Sequence, residues 1–431
     1  MKEASMKRSI GISLTLAGTL AGLVALAAPA AAVMGTIDNV PAATLMLPYF
    51  EVDLDNAQGI NTLFSINNSA ASAVLVKVLV WTDQSVPVVG FNVYLTGYDV
   101  QTISMRDILV LGNVPRTASD GQDPSDTISP QGVLSQDINI ASCTGNLPYT
   151  NPAIDAAFRA HLQAWLTGNE SPTTHNCAGA KANPVGARIA RGYVTMDTVN
   201  ACNVFFPGDW SLYAPFVTDQ NVLWGDWFMV NPGESFAQGD MLVHIESCAS
   251  CFVPGDHTFY GRYNGGTADD GREPLPTTWA SRYIEGGAFN GGTSLLIWRE
   301  GNNSTSAYSC AQQGPPSWYP LPTNQVVIFD EAEQALLGGT CLPGDPMCGE
   351  EEISIPNEAQ RIDVHDGLLA PFNFGWVYLN LQHPEVNPIY GDNAAQAWVI
   401  AVMDASGRFS VGYDVLQLDS ANDPADPIAT P

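Results

Sequence analysis

His244, Glu246, Cys248, Cys251 and His257 are the residues of this chain whose types and spacing come closest to a reactive centre. A zinc centre that activates water holds its His-Glu half and its Cys-x-x-Cys half on separate helices, so that a water fits between metal and carboxylate. Here only Ser247 separates Glu246 from Cys248, which puts that geometry out of reach. A structural tetrahedral zinc site built from His244, Cys248, Cys251 and His257 has workable spacing. A redox-active pair is the other alternative. Phe252 stands where covalent haem attachment would need a histidine. Weighed against export, argued below, the expectation is a Cys248–Cys251 disulfide.

Arg262, Arg272, Arg282 and Arg299 form a second constellation, interleaved with Tyr260, Tyr263, Trp279, Tyr283 and Trp298 and with Glu273, Glu285 and Glu300. Arginine offers bidentate hydrogen bonds and aromatic rings offer stacking, so such a segment can wall a groove for an anionic or glycan ligand. Arg262, Arg272, Arg282, Arg299, Trp279, Trp298 and Tyr283 are therefore the candidate ligand-binding residues. The competing reading, which is preferred, is a set of Arg–Glu pairs and packed rings that stiffens a loop-rich lobe. Asp209-Trp210 and Asp226-Trp227 also couple a carboxylate to an aromatic, as sugar sites do. A glycosidase, however, needs two carboxyl groups at a set separation, which sequence spacing does not supply.

Asp53, Asp55 and Asn56, and separately Asp120, Asp123 and Asp126, carry oxygens that suit calcium. Neither run follows the EF-hand spacing, and plain Asx-rich turns need no ion. No cofactor is expected, with calcium as the one alternative. The chain has no G-x-S-x-G, no H-E-x-x-H and no dinucleotide-binding fingerprint, and its six histidines are scattered. No catalytic residue is assigned.

These residues must be positioned by a chain made for export. Lys7 and Arg8 precede an apolar run from Ile10 to Ala28 that ends in Ala30-Ala31-Ala32, the pattern of a secretory signal peptide over residues 1–32. Export makes Cys143, Cys177, Cys202, Cys248, Cys251, Cys310, Cys341 and Cys348 disulfide candidates, and their even number predicts four bridges. The chain carries 16 Lys+Arg against 44 Asp+Glu, a formal charge of −28. After Ala32 only two lysines remain, Lys77 and Lys181. A field of that sign repels nucleic acid and anionic lipid, which excludes both as partners. No later segment reaches the ~18–20 apolar residues that a membrane helix needs. The expectation is a secreted, periplasmic or surface-held protein with no membrane insertion.

Short β-branched and aromatic runs separated by Asn, Asp and Gly predict an all-β fold, an antiparallel β-sandwich of immunoglobulin-like or jelly-roll type. Residues 33–115 hold runs at 44–50, 62–66, 73–81, 91–95 and 100–105, and residues 360–418 hold runs at 376–381, 397–403 and 409–418. Val74, Val76, Val78 and Val80 alternate as a core-facing strand should. The sandwich is expected to combine these N- and C-terminal strands. The cysteine-containing stretch 116–359 would be a stapled, loop-rich insertion or second β-rich lobe, and two sequential sandwiches are the alternative. That middle should hold two short helices. One follows Asn151 and Pro152 and carries Ile154, Phe158, Leu162 and Trp165 to a stop at Gly168. The other spans 331–337, capped by Asp330 and Glu333 and ended by Gly338-Gly339. Residues 419–431 read as a disordered acidic tail.

Several phrases carry a resemblance: Leu47-Pro-Tyr-Phe-Glu-Val-Asp53, Thr62-Leu-Phe-Ser-Ile-Asn-Asn68, Leu223-Trp-Gly-Asp-Trp-Phe228, Arg272-Glu-Pro-Leu-Pro276 and Gly407-Arg-Phe-Ser-Val-Gly412. In them the chain resembles a group of uncharacterised exported bacterial proteins. The resemblance spans most of the chain and implies a bacterial secreted origin, with no activity, cofactor or site residue attached. The functional expectation is a non-enzymatic binding or structural protein. The alternatives are a carbohydrate-binding or carbohydrate-active protein, using its Trp and Tyr rings with the 260–300 lobe as a wall, and a calcium-stabilised extracellular module. Glycans or other surface proteins are the partners considered.

Overall fold

The structure is a computed structural model that describes residues 39–116, 143, 147, 149, 152–181, 188–311, 319–323, 325–337, 355–368, 370, 372–383 and 395–419. Asp120, Asp123, Asp126, Cys341, Cys348, the signal segment and the acidic tail beyond 419 lie outside the described residues. The strands are β1 (Thr44–Asp53), β2 (Asn61–Asn68), β3 (Val74–Thr82), β4 (Pro87–Leu95), β5 (Val100–Ser104), β6 (Ile189–Val199), β7 (Leu223–Trp224), β8 (Asp226–Asn231), β9 (Phe236–Met241) and β10 (Val243–Ile245). They continue with β11 (Thr278–Ile284), β12 (Gly292–Arg299), β13 (Gln325–Asp330), β14 (Ala335–Leu337), β15 (Ala359–Asp363), β16 (Phe374–Asn380), β17 (Ala397–Ala405), β18 (Phe409–Asp414) and β19 (Leu416–Asp419).

These strands form four antiparallel sheets, so the all-β antiparallel expectation holds. The first runs β10-β1-β6-β3-β4, and the second β5-β2-β8-β9 with β7 also on β2. The third runs β15-β12-β17-β18, and the fourth β14-β13-β16-β11-β19. Ladders are regional: the strands of 44–104 pair among themselves and with strands of 189–245, and those of 359–419 among themselves and with strands of 278–330. The cysteine-containing middle therefore contributes strands to every sheet. N- and C-terminal blocks meet face to face, since Ile400 and Val402 of β17 share one core with Phe50, Trp81 and Tyr193.

Burial follows from the two-residue period of a strand. Every residue of β3 is buried, because both faces of the first sheet are covered. β12 is likewise buried throughout; Leu296 and Trp298 join the core with the first sheet, and Leu295 and Ile297 join a second core with Val377 and Leu379 of β16. Between the first and third sheets, Tyr193 stacks on Trp81 at 5.7 Å and meets Trp298 edge-on at 6.0 Å. Pro48 sits within β1, where a missing N–H would interrupt a regular ladder. The register with β6 shifts between Leu47 and Phe50, which accommodates it.

Two helix expectations are corrected. The first helix, α1, spans Ala156–Leu166 and starts later than expected. Asp155 caps it, its carboxylate accepting from the Phe158 N–H at 2.8 Å, and Gly168 leaves it at a φ of 68°. The second expected helix does not form: 331–337 is the turn and return strand of the β13–β14 hairpin. Asp330 does act as a cap, accepting from Ala332 N–H and Gln334 N–H at 2.8 Å each, but it caps a hairpin turn. Helix propensity in Glu-Ala-Glu-Gln-Ala-Leu-Leu yields to pairing with Val327, Ile328 and Phe329. Short helical turns occur instead at Trp210–Tyr213 and Gly261–Asn264. No helix among the described residues is long and apolar enough to cross a membrane.

Lys77, at the centre of β3, is buried, and its Nζ donates to the Asn203 carbonyl at 2.7 Å. Burial lowers its pKa to about 8. Below that pH the fold carries a desolvated ammonium that the unfolded chain keeps in water. Lys77→Met is therefore expected to raise the free energy of unfolding at pH 7 by about 1–3 kcal/mol, read from the denaturant midpoint. The gain should shrink as pH climbs from 8 towards 10.5, because the wild-type amine is then buried neutral. A loss of stability would mean that the bond to Asn203 outweighs desolvation.

Candidate functional site: an aromatic sheet face

Of the seven residues singled out in the arginine-rich segment, six are core. Arg262 donates through Nη2 to Glu358 Oε1 at 2.6 Å, with Ser85 Oγ at 3.2 Å and Tyr193 Oη at 3.3 Å. Arg272 donates to Thr44 Oγ1 at 2.7 Å and to the carbonyls of Asp270 and Thr218 at 2.6 and 3.0 Å. Arg299 donates to the carbonyls of Ile355, Pro322 and Leu381 at 2.9, 2.6 and 3.1 Å. Burial lowers the Arg299 pKa to about 9, against the pull of Glu358. Trp298 packs on Tyr193, and Trp279 packs edge-on against Trp398 at 5.2 Å. Tyr283 points inward and donates to the Phe329 carbonyl at 3.3 Å; burial and then Asp330 push its pKa up to about 12. Arg262, Arg272, Arg299 and Trp298 hold layers together, whereas Trp279 and Tyr283, buried though they are, reach the walls of two concavities. Arg282 alone is exposed.

Other candidates among the described residues are absorbed in the same way. Cys248 and Cys251 are bonded to each other, Cys143 to Cys202 and Cys177 to Cys310. Bridges of this kind belong to a non-cytoplasmic, oxidising environment. His257 lies on Glu300 at 3.1 Å, and His244 Nε2 accepts from the Gly225 N–H at 3.4 Å, so the four zinc candidates do not converge. Asp53 Oδ1 accepts from the N–H groups of Asp55 and Asn56 at 3.0 and 2.9 Å, and Asp55 pairs with Arg188 at 3.0 Å. This is a closed Asx turn. Among the described residues no three His, Cys, Asp or Glu side chains form a metal set. Trp210 and Trp227 are buried, and Asp226 accepts from Ser65 Oγ at 2.6 Å.

A concavity of about 1160 Å³ lies over the β16-β11-β19 part of the fourth sheet, with Tyr283, Phe289 and Met403 of β17 also in its lining. Alternation along β11 turns Trp279 and Tyr283 inward and Arg282 outward, among the concavity's lining. In β16, Val377 and Leu379 are buried while Phe374, Trp376 and Tyr378 line the concavity. Register places Phe374 opposite Ile284, Trp376 opposite Arg282 and Tyr378 opposite Ala280. Phe329 of β13 lies flat on Trp376, ring centroids 3.7 Å apart and 6° from parallel, which fixes the indole. Leu416 and Leu418 of the edge strand β19 are 63% and 45% exposed, and Phe374 is 44% exposed. An apolar face of this kind stands out on a chain of charge −28. Polar atoms are few: Arg282 and Glu331 are the charged residues of the lining.

Sequence reasoning found Arg282 and the strand that carries Trp376, but not the outward row Phe374-x-Trp376-x-Tyr378. The signal was present as an aromatic alternation opposite in phase to Val377 and Leu379. No family model, curated protein or solved structure matches the chain.

Proposed function

We propose that this chain is exported by an N-terminal signal peptide and works as a non-enzymatic binding protein whose recognition surface is the outer face of the β14-β13-β16-β11-β19 sheet. The observation that carries the reading is the row Phe374, Trp376 and Tyr378 on one open strand face beside Arg282. An extended glycan is the ligand class put forward. Sugar rings lay their C–H faces on aromatic planes, and Arg282 and Glu331 are placed to take hydroxyl groups at the rim. Three disulfides and the charged-apolar-small pattern of residues 1–32 support the export half.

Trp376→Ala is expected to weaken binding of the best polysaccharide on a glycan panel by about tenfold or more, a loss of about 1.4 kcal/mol or greater. Trp210→Phe, in the core away from the face, should leave that affinity unchanged. Silence of the wild-type protein across the panel removes the glycan. The exposed Leu416 and Leu418 favour a protein partner as the second reading. Sedimentation of the wild type against a Leu416→Asp, Leu418→Asp variant then tests whether that partner is another copy.

A further inference from the structure

The three disulfides among the described residues are not equivalent. Cys143 and Cys177 are buried at 0% and 5% exposure, and each anchors a bridge between segments 59 and 133 residues apart. The Cys248–Cys251 bridge spans a sequence separation of 3, with Cys251 exposed and Cys248 half-buried. A cross-link that closes so short a loop removes little freedom from the unfolded chain, whereas the two long ones remove much. Among these three, the short bridge thus contributes least to holding the fold.

Its two ends are also held differently. Cys248 is anchored: its N–H donates to the Gly271 carbonyl at 2.7 Å, and the neighbouring Ser247 Oγ donates to Asp219 at 2.6 Å. The Cys251 N–H reaches only back to the Cys248 carbonyl, at 3.2 Å. Ala249 and Ser250 between them are exposed. An incoming thiol can therefore approach one sulfur from solvent while the other stays fixed on the body of the protein.

We propose that the Cys248–Cys251 turn is a thiol–disulfide exchange site that takes two electrons from a dithiol, with Cys251 as the sulfur attacked. A thiolate of the dithiol bonds to Cys251 Sγ, the intramolecular S–S bond breaks, and Cys248 leaves as thiolate. The second thiol of the reductant then attacks its own first sulfur in the mixed disulfide and displaces Cys251. The products are two protein thiols, which carry the two protons of the dithiol, and the reductant as a disulfide. Exposed short bridges are the labile, exchanging class, in contrast to buried structural ones.

The test uses the full oxidised chain, dithiothreitol at graded concentrations, alkylation and peptide mapping, with far-UV circular dichroism in parallel. Cys248 and Cys251 are expected to be labelled at dithiothreitol concentrations about tenfold or more below those that label Cys143, Cys202, Cys177 and Cys310, with the spectrum unchanged. Oxidised glutathione should then restore the bridge. Labelling of all six together, or of none before the spectrum collapses, overturns the proposal. Two single variants locate the entry sulfur. Cys248→Ser, which leaves Cys251 free, should form a mixed disulfide with oxidised glutathione about tenfold faster than Cys251→Ser, which leaves Cys248 free. Equal rates, or no reaction at Cys251, overturn the assignment of Cys251.

Discussion

Replacing Glu358 with alanine is expected to destabilise the fold by about 3–5 kcal/mol, the largest single loss that we anticipate. Glu358 is wholly buried between the first and third sheets. It accepts from Arg262 Nη2 at 2.6 Å and from Tyr193 Oη at 3.3 Å. Burial alone works against the charge on Arg262, and Glu358 outweighs it, so the guanidinium is held above its ordinary pKa. With the carboxylate gone, a desolvated cation is left between Tyr193, Tyr263 and Trp298 with no anion to answer it. The midpoint of urea unfolding reads the loss. Arg262→Met combined with Glu358→Leu should recover most of it, because the pair itself is worth far less than the penalty for breaking it. A loss below about 1 kcal/mol for the single variant would mean that water reaches Arg262 in the fold.

Acid sensitivity should follow from His383. Its Nε2 donates to the Glu300 carbonyl at 3.0 Å, and burial, followed by the charge of Arg299, lowers its pKa from 6.5 to about 3. The folded chain therefore keeps His383 neutral where the unfolded chain protonates it. A depressed folded pKa contributes stability that is intact above pH 6.5 and is lost as pH falls towards 3. The loss is about 1.4 kcal/mol for each pH unit in that window, about 4–5 kcal/mol in full. His161 and His244 are lowered by burial as well and add to this slope, whereas Asp83, pushed up to about 6 by burial, works against it. His383→Gln keeps an N–H for Glu300 and cannot titrate. Plotted against pH, its unfolding free energy should lose the slope of one proton between pH 6 and 4. An unchanged slope would assign the acid sensitivity to other groups.

Much of the fold was legible as local pattern. Val74 to Val80 announced a core-facing strand, and β3, an interior strand of its sheet, is buried along its whole length. The runs at 397–403 and 409–418 announced two strands, and they pair as β17 and β18 across a turn with Gly407 at a φ of 73°. Local pattern misled at 331–337, where strong helix formers lie against Val327, Ile328 and Phe329 as a returning strand. It also gave no sign that β11 and β12 are strands of different sheets, because Gly286 and Gly287 between them look like any hairpin turn.

The candidate site was half visible. Arg282 and the strand around Trp376 were found, but the other three arginines were set beside Arg282 as equals. Their fates differ because Arg262, Arg272 and Arg299 meet carbonyls, hydroxyls and Glu358 from segments up to 228 residues away. No spacing along the chain encodes such partners.

By itself the amino-acid sequence determined the material of this protein: an anionic, cysteine-bridged chain of antiparallel strands. Alternation, turn residues and charge act over a few positions and can be read there. Only the tertiary structure decided which strand faces are covered. A strand shows two faces of defined composition, but whether Trp279 or Trp376 is the ring left open depends on which side of β11 and β16 the third sheet comes to rest.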